Sequence, residues 1–351
     1  MNKEKTERIR EVATRAMLNS IEFASQNFAV ESQRDLIMQN VCESAVSPAH
    51  EIKTVALQCL SKIISLYYQF MERYMSQALF SITFEAMKSD DDAVILQGIE
   101  FWSTLAEVEQ ELIECFNIDE NIGITCMNYC QKALPYIVPC LINRMCVDEE
   151  NDEDTWSPHK AAGVCLMLLA RVCADEMSSH LLPFIASNYN STDHMRRDAT
   201  MLALGALLDS VSKDELGSVT INAHAMLLQM CKDTTPRVRD SAFWALGKIY
   251  DRNKEFSLDL EKTLSTITLI FDSINDEPRV ATNVCWALNY VIHSMFDPLF
   301  EITNRRPDSL LISRYYDHLF NATYHTIKRY YLIDVDRIPT NLRYARQLLS
   351  F

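Results

Sequence analysis

Arg239-Asp240-Ser241-Ala242-Phe243-Trp244-Ala245-Leu246-Gly247 is a basic residue opening an apolar, alanine-containing helix. It has an earlier twin in Arg197-Asp198-Ala199-Thr200-Met201-Leu202-Ala203-Leu204-Gly205. A third copy, Asn283-Val284-Cys285-Trp286-Ala287-Leu288, puts Trp286 as far after Trp244 as Arg239 stands after Arg197. Self-similarity at a fixed period of this length marks a chain built from stacked helical units, each burying its apolar face on its neighbours. Such a fold has no single central core and presents a long surface. Gripping other macromolecules is therefore the expected activity.

Working outward, the basic residue at the start of each second helix serves as an anchor. It falls at Arg10, Lys53, Lys160, Arg197, Arg239 and Arg343, with Ile95 and Ala281 in the equivalent slot where the charge is missing. Lys53 to Leu66 shows the pattern, with Val55, Leu57, Leu60, Ile63 and Ile64 forming a wide helical stripe. Turn signals precede most anchors: Ser47-Pro48, Ser89-Asp90-Asp91-Asp92, Asp233-Thr234-Thr235-Pro236 and Asn275-Asp276-Glu277-Pro278. Their side chains cap the new helix, and proline suits its first turn. Upstream lies a partner helix, as in Ala78 to Met87. The expected fold class is all-α, an α–α superhelix of solenoid type, running as one array over residues 1–351 and cut at both ends.

Composition agrees. Six glycines in 351 residues are far below the roughly 7% of an average chain, which argues against hairpin-rich folds and glycine-rich phosphate loops. The net charge of −15 disfavours nucleic acid as a ligand, since such binders displace counterions with a basic face. It points to a basic protein partner, or simply to solubility. No uncharged apolar run reaches the roughly 18 residues of a membrane span, so no membrane partner is expected. The N-terminal residues carry no apolar stretch of secretory type, and the eleven cysteines read as reduced thiols.

Two repeats are long. One contains residues 107–130, which read as polar and irregular, and then Asp148-Glu149-Glu150-Asn151-Asp152-Glu153-Asp154, six carboxylates in seven residues. That run repels itself and is expected as a solvated loop between helices. It is either a linker or a site for a basic partner; it lacks the spacing and glycine of an EF-hand. The other long repeat opens a divergent region over 293–351.

The pattern of Asp or Asn, then Val-Arg, then an alanine-rich helix resembles HEAT repeats. Ala16 to Phe23, Ser65 to Gln69, Glu85 to Asp90, Leu96 to Ser103, Lys160 to Leu169 and Pro278 to Ala287 are similar, in order, to the importin β family of nuclear import receptors. The similarity covers residues 10 to 300 apart from 107–130, and matches middle HEAT repeats of a longer protein. The resemblance implies three partners: an importin-α-type adaptor or basic nuclear localisation cargo, the GTPase Ran, and FG-repeat nucleoporins. It also implies a location in cytoplasm and nucleus and at the nuclear pore, and no cofactor.

By resemblance, Trp156, Trp244 and Trp286 hold the basic adaptor helix, with Asp198, Asp240, Glu100 and Asn283 nearby to pair with its charges. An indole row can carry the alkyl stems of Lys and Arg; helical spacing alone is equally met by core tryptophans. The acidic loop Asp148, Glu149, Glu150, Asp152, Glu153 and Asp154, followed by Trp156, is implied to contact Ran. Leu36, Ile37, Tyr74 and Ile82 on adjacent first helices are implied to receive nucleoporin phenylalanines, or else pack between helices. No catalytic signature is present: no phosphate loop, nucleophile elbow, CxxC or HExxH. Cys126, Cys130, Cys140 and Cys146 are not spaced as a zinc site, so neither metal nor enzyme activity is expected. A HEAT scaffold of another class, such as a phosphatase regulatory subunit, is the alternative reading.

Overall fold

The computed structural model describes residues 3–118, 124–147, 156–211, 213–303 and 309–331. Among them there are helices and no strand, so the fold is all-α and of HEAT-repeat type. The chain forms two compact units, Met1–His180 and Leu181–Phe351.

The first unit holds α1 (Lys3–Ser20), α2 (Ser25–Ala29), α3 (Glu31–Ala45), α4 (His50–Tyr67), α5 (Glu72–Tyr74), α6 (Phe80–Ala86), α7 (Asp92–Ile118), α8 (Tyr129–Met145) and the start of α9 (Pro158–Asn188). Anchors Arg10, Lys53, Ile95 and Lys160 lie in α1, α4, α7 and α9. Helix α4 packs on α1 on one side and α7 on the other, and α3 covers a third face. Hence Ile52, Val55, Leu57, Leu60, Ile63 and Ile64 are all buried, which accounts for a stripe wider than one face needs. Each such side chain contributes roughly 1.5–3 kcal/mol by leaving water.

Residues 107–118, expected to be irregular, belong to α7. Polar text hid a helix because Glu109, within it, is buried and has a specific task. Its carboxylate accepts hydrogen bonds from the Tyr68 hydroxyl (2.7 Å) and from the backbone N–H groups of Tyr129 (2.6 Å) and Cys130 (3.0 Å). Those N–H groups open α8, so a carboxylate from one helix caps the next. The Tyr68 oxygen in turn accepts from the Met127 N–H at 2.8 Å. Asn128 takes the left-handed conformation (φ 54°) that Asn tolerates better than most residues, and the chain turns there into α8.

The second unit holds the rest of α9, then α10 (His194–Ser210), α11 (Lys213–Met230), α12 (Pro236–Arg252), α13 (Leu260–Ser273), α14 (Pro278–Thr303) and α15 (Tyr316–Tyr331). Anchors Arg197, Arg239 and Ala281 lie in α10, α12 and α14, which pack in series. Among the predicted turns, Asp91 caps α7 by accepting from the Val94 N–H at 3.0 Å, and Pro236 occupies the first turn of α12, whose N-cap Thr235 makes no side-chain cap. Outside them, Asp193 caps α10 by accepting from the Met195 N–H at 2.9 Å. Part of the divergent region is helical, the end of α14 and all of α15. Arg343 lies outside the described residues.

Adjacent repeats of this unit are joined by ion pairs at nearly constant offset. The Arg197 guanidinium donates to both oxygens of Asp233 (2.7 and 2.9 Å), and Arg239 does the same to Asp276 (both 2.7 Å). Each arginine also donates to a carbonyl of its own turn, Ser191 for Arg197 and Asp233 for Arg239. A second, deeper set runs the other way, from Arg237 to Asp198 (2.7 Å) and from Arg279 to Asp240 (2.5 Å). Burial would raise Asp233 and Asp276, but hydrogen bonds from the paired arginine and from backbone N–H groups hold both below the usual carboxylate range. Burial dominates for Asp198 and Asp240 and pushes them up, against the opposing arginine charge.

Candidate partner-binding face

The indoles of Trp244 (α12) and Trp286 (α14) are half-buried and sit one repeat apart. Each is seated on the helix before it. A Cβ added to Gly205 of α10 would overlap the Trp244 ring, and one on Gly247 of α12 would lie 3.4 Å from that of Trp286. In both pairs the glycine precedes its tryptophan by the same interval. A missing side chain on one helix is thus the platform for an indole of the next. Trp286 meets Tyr290 edge-on, with centroids 4.5 Å apart. The Lys248 ammonium lies 5.9 Å from the Trp244 ring centroid and 5.5 Å from that of Trp286. It is also 3.2 Å from Asp209 and 3.7 Å from Asp251.

Trp156, in the first unit, is 56% exposed just ahead of α9. Glu100, also in the first unit, is exposed on α7 at the slot that Trp244 fills in α12, and partial burial followed by repulsion from Glu107 raises its carboxyl. Both are reachable by a partner.

Asp198, Asp240 and Asn283 were expected to meet a partner's charges, and the structure corrects this for the two aspartates. Asp198 is 1% exposed and holds Arg237 and the Ser241 hydroxyl (2.5 Å). Asp240 is buried, holds Arg279, and accepts the Asn283 amide at 2.6 Å. These groups join repeat to repeat. Burial with an internal cation leaves the two aspartates nothing to present outward, while Asn283 stays half-buried with its amide N–H on Asp240. The negative charge beside the indoles comes from Asp209 and Asp251, which sequence spacing did not single out. The predicted acidic loop, Asp148 to Asp154, lies outside the described residues.

Of the four first-helix positions, Leu36 on α3 is 61% exposed, and Ile37 on α3 and Ile82 on α6 are half-buried. Tyr74, at the end of α5, is half-buried and its polar end is engaged within the chain. Its hydroxyl donates to Asp35 and accepts from Arg34 Nε at 3.3 Å, a polar tie to α3. The sequence reading passed over an aromatic group on α6 and α8. Phe80 and Phe84 stack at 5.7 Å, Tyr136 meets both edge-on, and the Lys88 ammonium lies 3.7 Å from the Phe84 centroid. The four-residue spacing of the phenylalanines was the available signal. Among the described residues, no three His, Cys, Asp or Glu side chains converge as metal ligands, and no helix is long and apolar enough to cross a membrane.

Helices that pack in series at a fixed repeat make a helical-repeat protein, and the HEAT-like repeat family matches residues 194–249. The chain is 35% identical over 292 residues to importin subunit beta-1 of Schizosaccharomyces pombe, covering 81% of this chain and 34% of that protein. Kap95p, yeast importin-β, is similar in two solved structures. The one in which its binding switches the loops of RanGDP has a TM-score of 0.81 at 28% identity, covering 91% of this chain and 37% of that one. The one of Kap95 with Nup1 has a TM-score of 0.80 at 27% identity, covering 90% and 36%. The chain belongs to the importin β family, and spans about a third of the length of the curated relative it matches.

Proposed function

We propose that this segment of an importin-β-type chain binds a basic polypeptide, an importin-α-type adaptor helix or the localisation signal of a cargo. The contact uses the face that carries Trp244 and Trp286. The observation that carries the reading is the pair of half-exposed indoles at equivalent repeat positions, each seated on a glycine of the preceding helix, with Asp209 and Asp251 gathered about the Lys248 ammonium that lies near both rings. Alkyl stems lie on such rings while carboxylates draw the charged heads. Glu100 and Trp156 extend the set of partner-facing residues in the first unit.

Ran and FG-repeat nucleoporins are the further proposed partners, supported by the solved complexes of Kap95p with RanGDP and of Kap95 with Nup1. In this reading Asp148, Glu149, Glu150, Asp152, Glu153 and Asp154 face Ran, and Leu36, Ile37 and Ile82, with the ring of Tyr74, receive phenylalanines. The protein acts by binding alone, in cytoplasm and nucleus and at the pore. Release follows if Ran and the basic partner prefer different shapes of the receptor.

The test is a titration of the full chain with a fluorescent, Lys- and Arg-rich helical peptide at increasing salt. Binding is expected to weaken with salt and to drop at least about tenfold when Trp244→Ala and Trp286→Ala are combined, as for loss of two aromatic anchors. Unchanged affinity in that double variant would refute the assignment.

A further inference from the structure

Lys248 follows Trp244 by four residues on α12, so the two side chains share a helix face. Its side chain is 11% exposed, and its ammonium lies within cation–π range of both indoles while pairing with Asp209 and Asp251. Arg252 also faces Asp251 electrostatically. Two ring faces and two carboxylates are what a partner's lysine would seek, and here the chain's own lysine stands among them.

We propose that Lys248 is an internal placeholder in the cation seat between Trp244 and Trp286, and that it lowers the affinity of this face for basic polypeptides. The proposal rests on the use of these indoles by a basic partner. An incoming cation meets a like charge already in place, so it must displace Lys248 from the carboxylates or bind further out. Either way part of its pairing energy is offset. A carrier that has to let go of its load benefits from such a competitor, because the seat refills from within as the partner leaves.

The experiment uses the same fluorescent peptide and the full chain carrying Lys248→Met, which keeps a long apolar stem on the rings and removes the charge. Affinity is expected to rise about three- to tenfold, the scale of one regained cation–indole contact, with a steeper dependence on salt. Adding Asp209→Asn and Asp251→Asn should cancel that gain. Lys248→Arg keeps the charge and should bind as the native chain does. Lys248→Gln carries the same expectation as the methionine variant and replaces it should that variant unfold, which thermal melting reports. Neutral variants that are folded and bind no tighter than native overturn the placeholder, provided that Trp244→Ala with Trp286→Ala still weakens the native chain. If that tryptophan pair has no effect, the parent reading fails and the placeholder falls with it.

Discussion

Helices α7 and α12 each carry one tryptophan and open at equivalent points of their repeats, yet the two indoles have opposite fates. Trp102 of α7 is 0% exposed and packs edge-on against Phe80 and Phe101. Trp244 of α12 stays half-exposed. The difference is two residues of register: Trp102 comes seven after the anchor Ile95, and Trp244 comes five after Arg239. Two residues turn a helix by about 200°, which exchanges the core face for the open one. The rule holds elsewhere. Leu60, Leu204, Leu246 and Leu288, seven after their anchors, are buried, while Gln58, Glu100, Leu202 and Trp286, five after, are not. A tryptophan in this fold is therefore core or contact according to its offset.

The sharpest way to break this rule is to truncate both rings. Trp102→Ala empties a fully enclosed site and should cost about 3–5 kcal/mol of stability, read by denaturant unfolding. Trp244→Ala should cost much less stability and act mainly on peptide binding. Equal losses of stability from the two would show that offset does not decide the role.

The same register shows how far the sequence could be read. Period, helix pairs and turn caps were legible because Arg197, Arg239 and their aspartates recur at fixed spacing. The anchor at Lys160 was one residue late: in α9 the exposed slot falls at Val164 and the core slot at Leu166. The long insertion before it had broken the count. Asp198 and Asp240 looked like partner-facing charges because sequence shows charge and not burial; only the offset partners Arg237 and Arg279 reveal a ladder. Glu109 was missed for a similar reason, since a buried carboxylate that caps another helix has no local signature. Lys248 lies four residues from Trp244 and was readable as its neighbour. Asp209, almost a full repeat earlier, could be paired with it only once the helices were stacked.

A smaller effect sharpens the comparison from the side of the platform. Gly205→Ala drives a methyl group into the Trp244 ring, while the same change at Gly247 meets the Trp286 ring at 3.4 Å, an ordinary contact. Gly205→Ala should cost about 2–3 kcal/mol, in the range of overpacked cores, and weaken the basic peptide by tilting the indole off its seat. Gly247→Ala, whose Cβ also comes within 3.3 Å of the Ala287 backbone, should cost less on both counts. Unfolding curves and peptide titrations of the two variants give the ordering, and a reversed order would mean that the glycines do not position the rings.

The smallest predicted effect separates the second unit's interior from its charged joints. His224 of α11 is buried, shares a hydrogen bond with the Thr266 hydroxyl at 2.9 Å, and lies against Phe256. Burial, reinforced by the nearby Lys262 charge, pulls its imidazole from 6.5 down to about 4. The unfolded chain therefore binds a proton below pH 6.5 that the folded chain refuses until about pH 4. Stability is fully present above pH 6.5 and declines as the pH falls across that window. Between pH 7 and pH 5 the loss should be about 1–2 kcal/mol. The ladder aspartates Asp233 and Asp276 cannot produce it, because their depressed carboxyls contribute a loss only below the ordinary carboxylate range. Denaturant unfolding at pH 7, 6 and 5 should show the decline in the native chain and a flatter profile in His224→Gln, whose side chain can still meet Thr266 but does not titrate. An equally steep profile in that variant would show that the His224 imidazole is not the source of the acid sensitivity.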